Sequence, residues 1–390
     1  MSESPVVNPN VQINPIDRDG TIHAFEVRAI VKSRGVVRAT VTADDRNARA
    51  FGALKQLLAG DVCDFDLEAW GQLAELGVVV TPGEVISPVR FACRLEHIRD
   101  ADIPRRLCPP QPAAPIVNPT VRLVAFDELA ALNRLTGHIW EPAERLVLVR
   151  DLRTNIEYPY WAEDGTLELV ERLASHRMAP SELSQDLARA LFLAGILVDE
   201  HAERFDAFSA AAAARYAANG WVTLPQLLRG THVVAMREYY RRVLEGGYVH
   251  FGDNQVPLRF AEHNEPLMVF YHAQVRHLFE VIVGEPIKCS YPYFGAYRSG
   301  AVLEKHTDRE QCEWTASLLI DELPRPEEMS DWSLYLELQS GASVPMLMGL
   351  GDGSLYKGRE LPHYRSAFTG ELMTCHFYHY VKADFEGPLS

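Results

Sequence analysis

The sequence predicts an α+β multidomain protein: two small N-terminal α/β units that repeat one another, then a strand-rich C-terminal domain of the double-stranded β-helix, or jelly-roll, type. Three observations carry this. The stretches 54–80 and 169–198 align with only a few inserted residues, and each ends in a glycine leading an apolar strand, Gly77-Val-Val-Val and Gly195-Ile-Leu-Val. That is the signature of an internal duplication. A Pro-rich segment, Cys108–Pro119, separates the copies. Beyond residue 248, short apolar or alternating segments recur between turn residues and surround a His-x-Asp at 306–308, the pattern of many antiparallel strands around one site.

In order, residues 1–107 open on a polar lead containing Pro and Asn. Strand-like alternation follows at His23–Val31 and Gly35–Val41, then helical spacing at Ala48–Leu58 and Leu67–Leu76, then the strand led by Gly77. Cys108–Pro119 reads as an extended, semi-rigid linker. Residues 120–205 repeat the pattern, with strands at Leu146–Arg150 and Thr154–Tyr160 and helices at Leu167–Ala174 and Ser181–Ala194. Each copy, strands then two helices and a Gly-led strand, resembles a small winged-helix unit. The pair resembles the peptide-recognition modules of ribosomal-peptide modification systems, which hold a leader peptide against a strand edge; structural or dimerising wings fit the same pattern.

Residues 206–390 form the third unit. Ala207–Ala218 is an alanine-rich helix with Gly220 as its C-cap. A short strand and turn begin at Trp221, and His232–Leu244 is an amphipathic helix. Strands follow at Gly247–Phe251, Val256–Phe260, Ile287–Tyr297, Thr315–Ile320, Leu334–Leu338, Val344–Met348, Ser354–Tyr356 and Leu372–Val381, interrupted by one helix at Pro266–Val283. Asp352-Gly353 reads as a turn, and Gly349-Leu-Gly-Asp-Gly lacks the G-K-[ST] of a phosphate loop.

At 390 residues, with 47% hydrophobic and 23% charged residues, the chain can bury a sizeable core. A formal net charge of −15 argues against a general nucleic-acid partner, because phosphate neutralisation needs surplus Lys and Arg. The six cysteines show no C-x-x-C spacing, so reduced thiols are expected. The N-terminus lacks a secretory pattern, and no apolar run approaches the roughly 20 residues of a membrane span. A cytoplasmic protein with no membrane partner is the expectation.

His306 and Asp308 lie two apart, so on an extended strand both side chains leave one face. His363, 57 positions downstream, can close a facial set of two imidazoles and one carboxylate. Such a set leaves metal positions open, as a non-haem iron(II) oxygenase requires. His263, His272, His277, His376 and His379 are read as hydrogen-bonded histidines and not as ligands. Arg298, Arg309, Glu310 and Trp314 flank the motif. Arg309 and Glu310 can orient Asp308, face the substrate or form a solvated turn; Tyr291 and Tyr293, at alternate positions with Tyr297, can line the same wall or belong to the core.

Tyr297 and Gly300, nine and six residues ahead of His306, complete a Y-x-x-G-x5-H-x-D pattern. This stretch resembles the prolyl-4-hydroxylase-like 2-oxoglutarate and iron(II)-dependent dioxygenases. The likeness runs on through Arg309, Glu310, Cys312, Trp314 and Ala316–Ile320, then Asp352, Gly353, Gly358–Glu360 and His376–Val381, and covers roughly Asn219 to Asp384.

The resemblance implies Fe(II), 2-oxoglutarate and O2, with oxidative decarboxylation to succinate coupled to oxidation of an unactivated C–H bond. Related halogenases lose the carboxylate ligand, so Asp308 implies hydroxylation or another oxidation. The family's cation for the distal carboxylate usually follows the second histidine by nine to eleven residues, where this chain has Leu372, Met373 and Thr374. Arg365, on the same strand face as His363, is the substitute. Its rival roles are contact with the primary substrate and a structural salt bridge. Tyr297, Thr374 and His376 are expected to assist. Because the duplicated units occupy about half the chain, a peptide or protein substrate is preferred, one in a ribosomal natural-product precursor included. The alternatives are a free amino acid or small metabolite, a non-catalytic peptide-binding scaffold and an oxygenase using no oxo acid.

Overall fold

A computed structural model describes residues 5–18, 21–44, 47–59, 66–132 and 139–389. Met1–Ser4 of the polar lead, residues 60–65 of the repeated stretch and Cys63 lie outside the described residues.

The two N-terminal units share a plan. In the first, β1 (Val6–Val7) precedes an antiparallel sheet of β2 (Val11–Arg18), β3 (Thr21–Val31) and β4 (Gly35–Thr42). Then come α1 (Ala48–Ala59), α2 (Leu67–Glu75) and β5 (Val79–Val80), which returns to pair with β1. The second runs β6 (Ile116–Val117), β7 (Arg122–Ala125), α3 (Phe126–Leu132), β8 (Arg145–Arg150), β9 (Glu157–Tyr160), α4 (Asp164–Ala174), α5 (Gln185–Ala194) and β10 (Leu197–Val198), with β10 paired to β6. Among the described residues, α3 has no counterpart in the first unit.

One buried asparagine closes each unit. Asn8 Nδ2 donates to the carbonyls of Ile30 (3.0 Å) and Gly77 (2.9 Å); Asn118 Nδ2 donates to those of Arg150 (3.0 Å) and Gly195 (2.9 Å). Both stand in a Val-Asn-Pro triplet ahead of the stretches that align in sequence. Gly77 and Gly195 take φ of +71° and +79°, a left-handed turn that a side chain would strain.

Some expected boundaries move. Ser184 accepts from the Leu187 amide and starts α5, so the helix expected from Ser181 is a short turn followed by a separately capped helix. Asp151 gathers the amides of Arg153 and Thr154 into a turn, which delays β9 to Glu157. The linker expected at 108–119 is partly folded, since it contains β6 and Asn118.

The division expected after residue 107 falls near Val80. Phe25, Leu54 and Leu73 belong to a core confined to the first unit, whereas Phe91, Trp140 and Leu191 join one core continuous with the C-terminal part. The intervening segment crosses over: Phe91 bridges Trp140, Arg94 bridges Trp161, and Arg106 donates twice to Asp352 (2.9 and 2.7 Å). Asp352 is buried, accepts from the Gln226 and Gly349 amides and directly precedes a strand, so where a turn was expected it serves as an anchor.

The C-terminal part opens with α6 (Phe205–Asn219), β11 (Trp221–Leu224), α7 (Gly230–Glu245), β12 (His250–Phe251), β13 (Arg259–His263) and α8 (Pro266–Val283). Then come β14 (Ile287–Arg298), β15 (Leu303–His306), β16 (Trp314–Leu323), β17 (Leu334–Glu337), β18 (Ser343–Met346), β19 (Gly353–Tyr356), β20 (His363–Arg365) and β21 (Leu372–Lys382). A seven-stranded sheet runs β11-β19-β16-β21-β14-β13-β12, and a four-stranded sheet runs β15-β20-β17-β18. A cavity between them is lined from both. Alternation along β21 sends Phe377 and His379 into the cavity, while His376 meets Tyr240 of α7 and Tyr380 bonds the His272 carbonyl of α8. No described helix is long and apolar enough to cross a membrane.

Asn8→Ala and Asn118→Ala should each cost about 1–3 kcal/mol by stranding buried polar groups. Because most of each unit's apolar residues lie in different cores, hydrogen exchange should rise mainly within residues 5–80 for Asn8→Ala, but strongly in the C-terminal strands as well for Asn118→Ala.

Candidate metal centre

Strand pairing, not sequence proximity, assembles the centre. β15 and β20 are antiparallel neighbours in which His306 stands directly opposite His363, with ring centroids 4.3 Å apart. Each histidine engages its Nδ1 with the carbonyl two residues earlier, Glu304 O at 2.8 Å and Leu361 O at 3.0 Å. Both Nε2 atoms therefore face Asp308 Oδ1, at 3.7 and 3.5 Å.

These separations are too long for hydrogen bonds. They are close to the spacing of neighbouring donors around one ion, about 3 Å when metal–nitrogen bonds are about 2.1 Å. The three donor atoms lie within 4.8 Å of one another. Two imidazoles with fixed tautomers and one carboxylate fit a facial iron site. Burial and the adjacent His363 push the His306 pKa down, which keeps its lone pair available. Burial works against ionisation of Asp308, but His363, His379 and the Thr315 hydroxyl together hold its carboxyl well below the usual range. Thr315 Oγ1 donates to Asp308 Oδ2 at 2.5 Å, and the Asp308 amide donates to Gly358 O at 2.9 Å.

The cavity holds about 640 Å³, lined by the three donors together with Tyr291, Tyr293, Tyr297, Arg259, Tyr356 and Phe377, among others. Tyr297 is fully buried and accepts from Arg259 Nη1 at 3.0 Å. Arg309 donates to Tyr291 Oη at 2.9 Å, and Tyr293 donates to Asp253 Oδ2 at 3.0 Å.

Arg365 is buried behind this wall, its guanidinium over the Trp332 ring, which in turn packs on Tyr297. Arg365 Nη1 donates to Trp332 O at 2.6 Å and lies 3.5 Å from Met373 Sδ, beside a position where the family cation was expected. Its Nε has no partner, and no acid contacts it among the described residues. Glu322, its own pKa raised by burial, acts on Arg365 only through charge.

Other expected site residues lie elsewhere. Thr374 and His376 occupy the opposite face of β21 from Phe377 and His379, so strand alternation turns them from the cavity toward the helices. His376 bonds Tyr378 Oη at 3.0 Å, and burial pushes its pKa down to about 3. Trp314 is likewise turned outward by alternation with Thr315, and donates to Tyr216 Oη of α6 at 2.8 Å. Arg298 and Glu310 are exposed and line no part of the cavity.

No known protein family's model and no curated protein matches this chain. Solved structures do resemble part of it. One is a prolyl-4-hydroxylase from Pseudomonas putida, 17% identical with a TM-score of 0.39, covering 45% of this chain and 98% of that one. Another is the non-haem α-ketoglutarate-dependent epimerase SnoN from nogalamycin biosynthesis, 17% identical, TM-score 0.39, covering 46% and 82%. A third is HygX from Streptomyces hygroscopicus with nickel and 2-oxoglutarate bound, 14% identical, TM-score 0.37, covering 45% and 87%.

Sequence reasoning missed Arg259, Asp253 and Thr315 as site residues, and it named Gly358 only as part of the family likeness. Arg259 carried a signal, a charge inside the apolar run Pro257-Leu-Arg-Phe, but its partner Tyr297 is fixed by the β13–β14 register. Thr315 carried none.

His363→Ala and Asp308→Ala should each weaken iron(II) binding at least a hundredfold by anaerobic titration. Trp314→Phe should leave it within twofold, because that side chain faces α6.

Proposed function

We propose that the chain is an iron(II)- and 2-oxoglutarate-dependent dioxygenase that hydroxylates an unactivated C–H bond, with the two C-terminal sheets forming a double-stranded β-helix around the metal. The observation that carries this reading is the convergence of His306 Nε2, His363 Nε2 and Asp308 Oδ1 on one point inside a cavity large enough for a co-substrate and a substrate side chain. Iron(II) held there with 2-oxoglutarate would supply dioxygen activation coupled to oxidative decarboxylation.

The chain's own residues bind, orient and shield. Arg365 is assigned to the distal carboxylate of the co-substrate. A buried guanidinium without an acid in contact is costly, and an incoming carboxylate removes that cost. Tyr297 is assigned beside it, because its oxygen accepts from Arg259 and its own proton is left free to donate. Phe377, Tyr356 and Leu334 present apolar walls that exclude water.

The preferred substrate is a residue within a peptide or protein, acted on in the cytoplasm. In support, a second cleft of about 600 Å³ adjoins the metal cavity and shares Asp253, His263, Tyr293 and Arg309 with it. Its far wall is Gln12, Glu26, Arg28, Arg38 and Thr40 of the first N-terminal unit, which we read as winged-helix-like. An elongated substrate can span both spaces, whereas a free amino acid fills only one. Succinate release stimulated by peptide mixtures more than by free amino acids is the expected result; the reverse would return the substrate to small molecules.

Adding iron(II) and 2-oxoglutarate together without oxygen should produce a weak visible charge-transfer band. Arg365→Met should lose the band or require at least tenfold more 2-oxoglutarate. It should also abolish the 2-oxoglutarate-dependent rise in Tm without lowering the Tm of the ligand-free protein. No band in wild type with iron bound would refute the assignment.

A further inference from the structure

We propose that Thr315 is a positioning residue that commits Asp308 to one of two metal positions within the cavity and so selects against thiol-seeking cations. The proposal rests on the metal-site reading above. Asp308 belongs to two donor sets: His306 and His363 complete the first, and Cys312 and His379, both buried, complete the second, again with donor atoms within 4.8 Å of one another. The chemistries differ. Two imidazoles and a carboxylate suit iron(II), whereas thiolate, imidazole and carboxylate suit zinc, cadmium or cobalt(II). A cation entering the second set would displace the Cys312 thiol proton to solvent and form a metal–sulfur bond. It would also draw Asp308 from the histidines.

The Thr315 hydroxyl stands between these donors, 2.5 Å from Asp308 Oδ2 and 3.0 Å from His379 Nδ1. It has one proton, and an ionised carboxylate only accepts, so that proton goes to Asp308. His379 Nδ1 must then carry a hydrogen and donate to Thr315. Asp308 Oδ2 is thereby occupied, leaving Oδ1 for the metal, and one His379 nitrogen is spent.

The backbone seals the arrangement. A Cβ on Gly358 would fall 2.2 Å from Asp308 Oδ2, 2.6 Å from Thr315 Oγ1 and 2.9 Å from Cys312 O. With the main chain this close, the carboxylate has little room to swing.

The test uses cobalt(II) as the metal on the full chain without oxygen, with iron(II) affinity measured in parallel. Wild type and Thr315→Ser, which keeps the hydroxyl, should bind cobalt with no thiolate-to-cobalt absorption. Thr315→Val, which keeps the shape, should gain that absorption and lose it again in Thr315→Val/Cys312→Ser. Its iron(II) affinity should fall roughly tenfold or more, the range for loss of a hydrogen bond to a ligand. A Thr315→Val protein with unchanged spectrum and iron affinity overturns the proposal, as does thiolate absorption already present in wild type. If Thr315→Val does not fold, Cys312→Ser alone decides: unchanged cobalt and iron binding supports the proposal, and a loss of either overturns it. Failure of wild type to bind cobalt or iron would instead sink the metal-site reading and this proposal with it.

Discussion

The structure turns on one half-buried carboxylate. An ionised Asp308 beneath a lining of tyrosine and phenylalanine is tolerable only if both oxygens have partners. Oδ2 is satisfied by a hydroxyl, whereas Oδ1 faces the Nε2 atoms of two imidazoles at 3.7 and 3.5 Å, beyond hydrogen-bond reach, so that only a shared cation completes it; the imidazoles are themselves immobilised by their own strand carbonyls. Those partners come from β15, β16 and β20, so the cost of one charge constrains the register of both sheets. A shift of one residue in the β15–β20 pairing would turn a histidine out of the cavity and leave the carboxylate without support.

Two buried arginines near the centre are treated differently, and the contrast separates scaffold from function. Every nitrogen of Arg259 is used, on Asp253, Gln255, Tyr293 and Tyr297. Although burial works against it, the guanidinium holds the Asp253 carboxyl below its usual range. That network pins the loop at the cavity mouth. Arg365 has one strong bond, to a carbonyl, and sulfur atoms for its other neighbours. A fold under selection for stability alone would replace such a residue with an apolar one of similar size. In the function proposed above, the co-substrate carboxylate would supply the anion that its contacts lack.

Much of this was legible in the sequence because it depends on local spacing. His306 and Asp308 share a face by strand period, Pro266–Val283 is capped as a helix between Glu265 and Gly284, and the Gly-led strands mark the repeat. Face assignments failed where the strand period was not carried through: Thr374 and His376 are even-numbered residues of β21, on the opposite face from Phe377 and His379. Trp314 failed for the same reason. Arg259 and Thr315 were invisible because their importance arises only when β13 meets β14 and when a hydroxyl meets a carboxylate across a turn. No local pattern encodes a contact of that kind.

The repeat shows how one plan serves two purposes. Both units are locked by the same asparagine bonds, yet the second fuses its apolar face into the C-terminal core, while the first keeps most of its own and gives that core only Ile30, with Val36 packed against it. The first unit meets the seven-stranded sheet mainly through polar groups: Arg28 and Arg38 on the buried Glu262, and Glu26 on Asn264. Apolar fusion fixes a position, whereas a charged seam resolvates at lower cost when it opens. The unit beside the cavity mouth is therefore the one attached by the weaker kind of contact. On the substrate reading proposed above, a long substrate would pass between these two walls before reaching the metal.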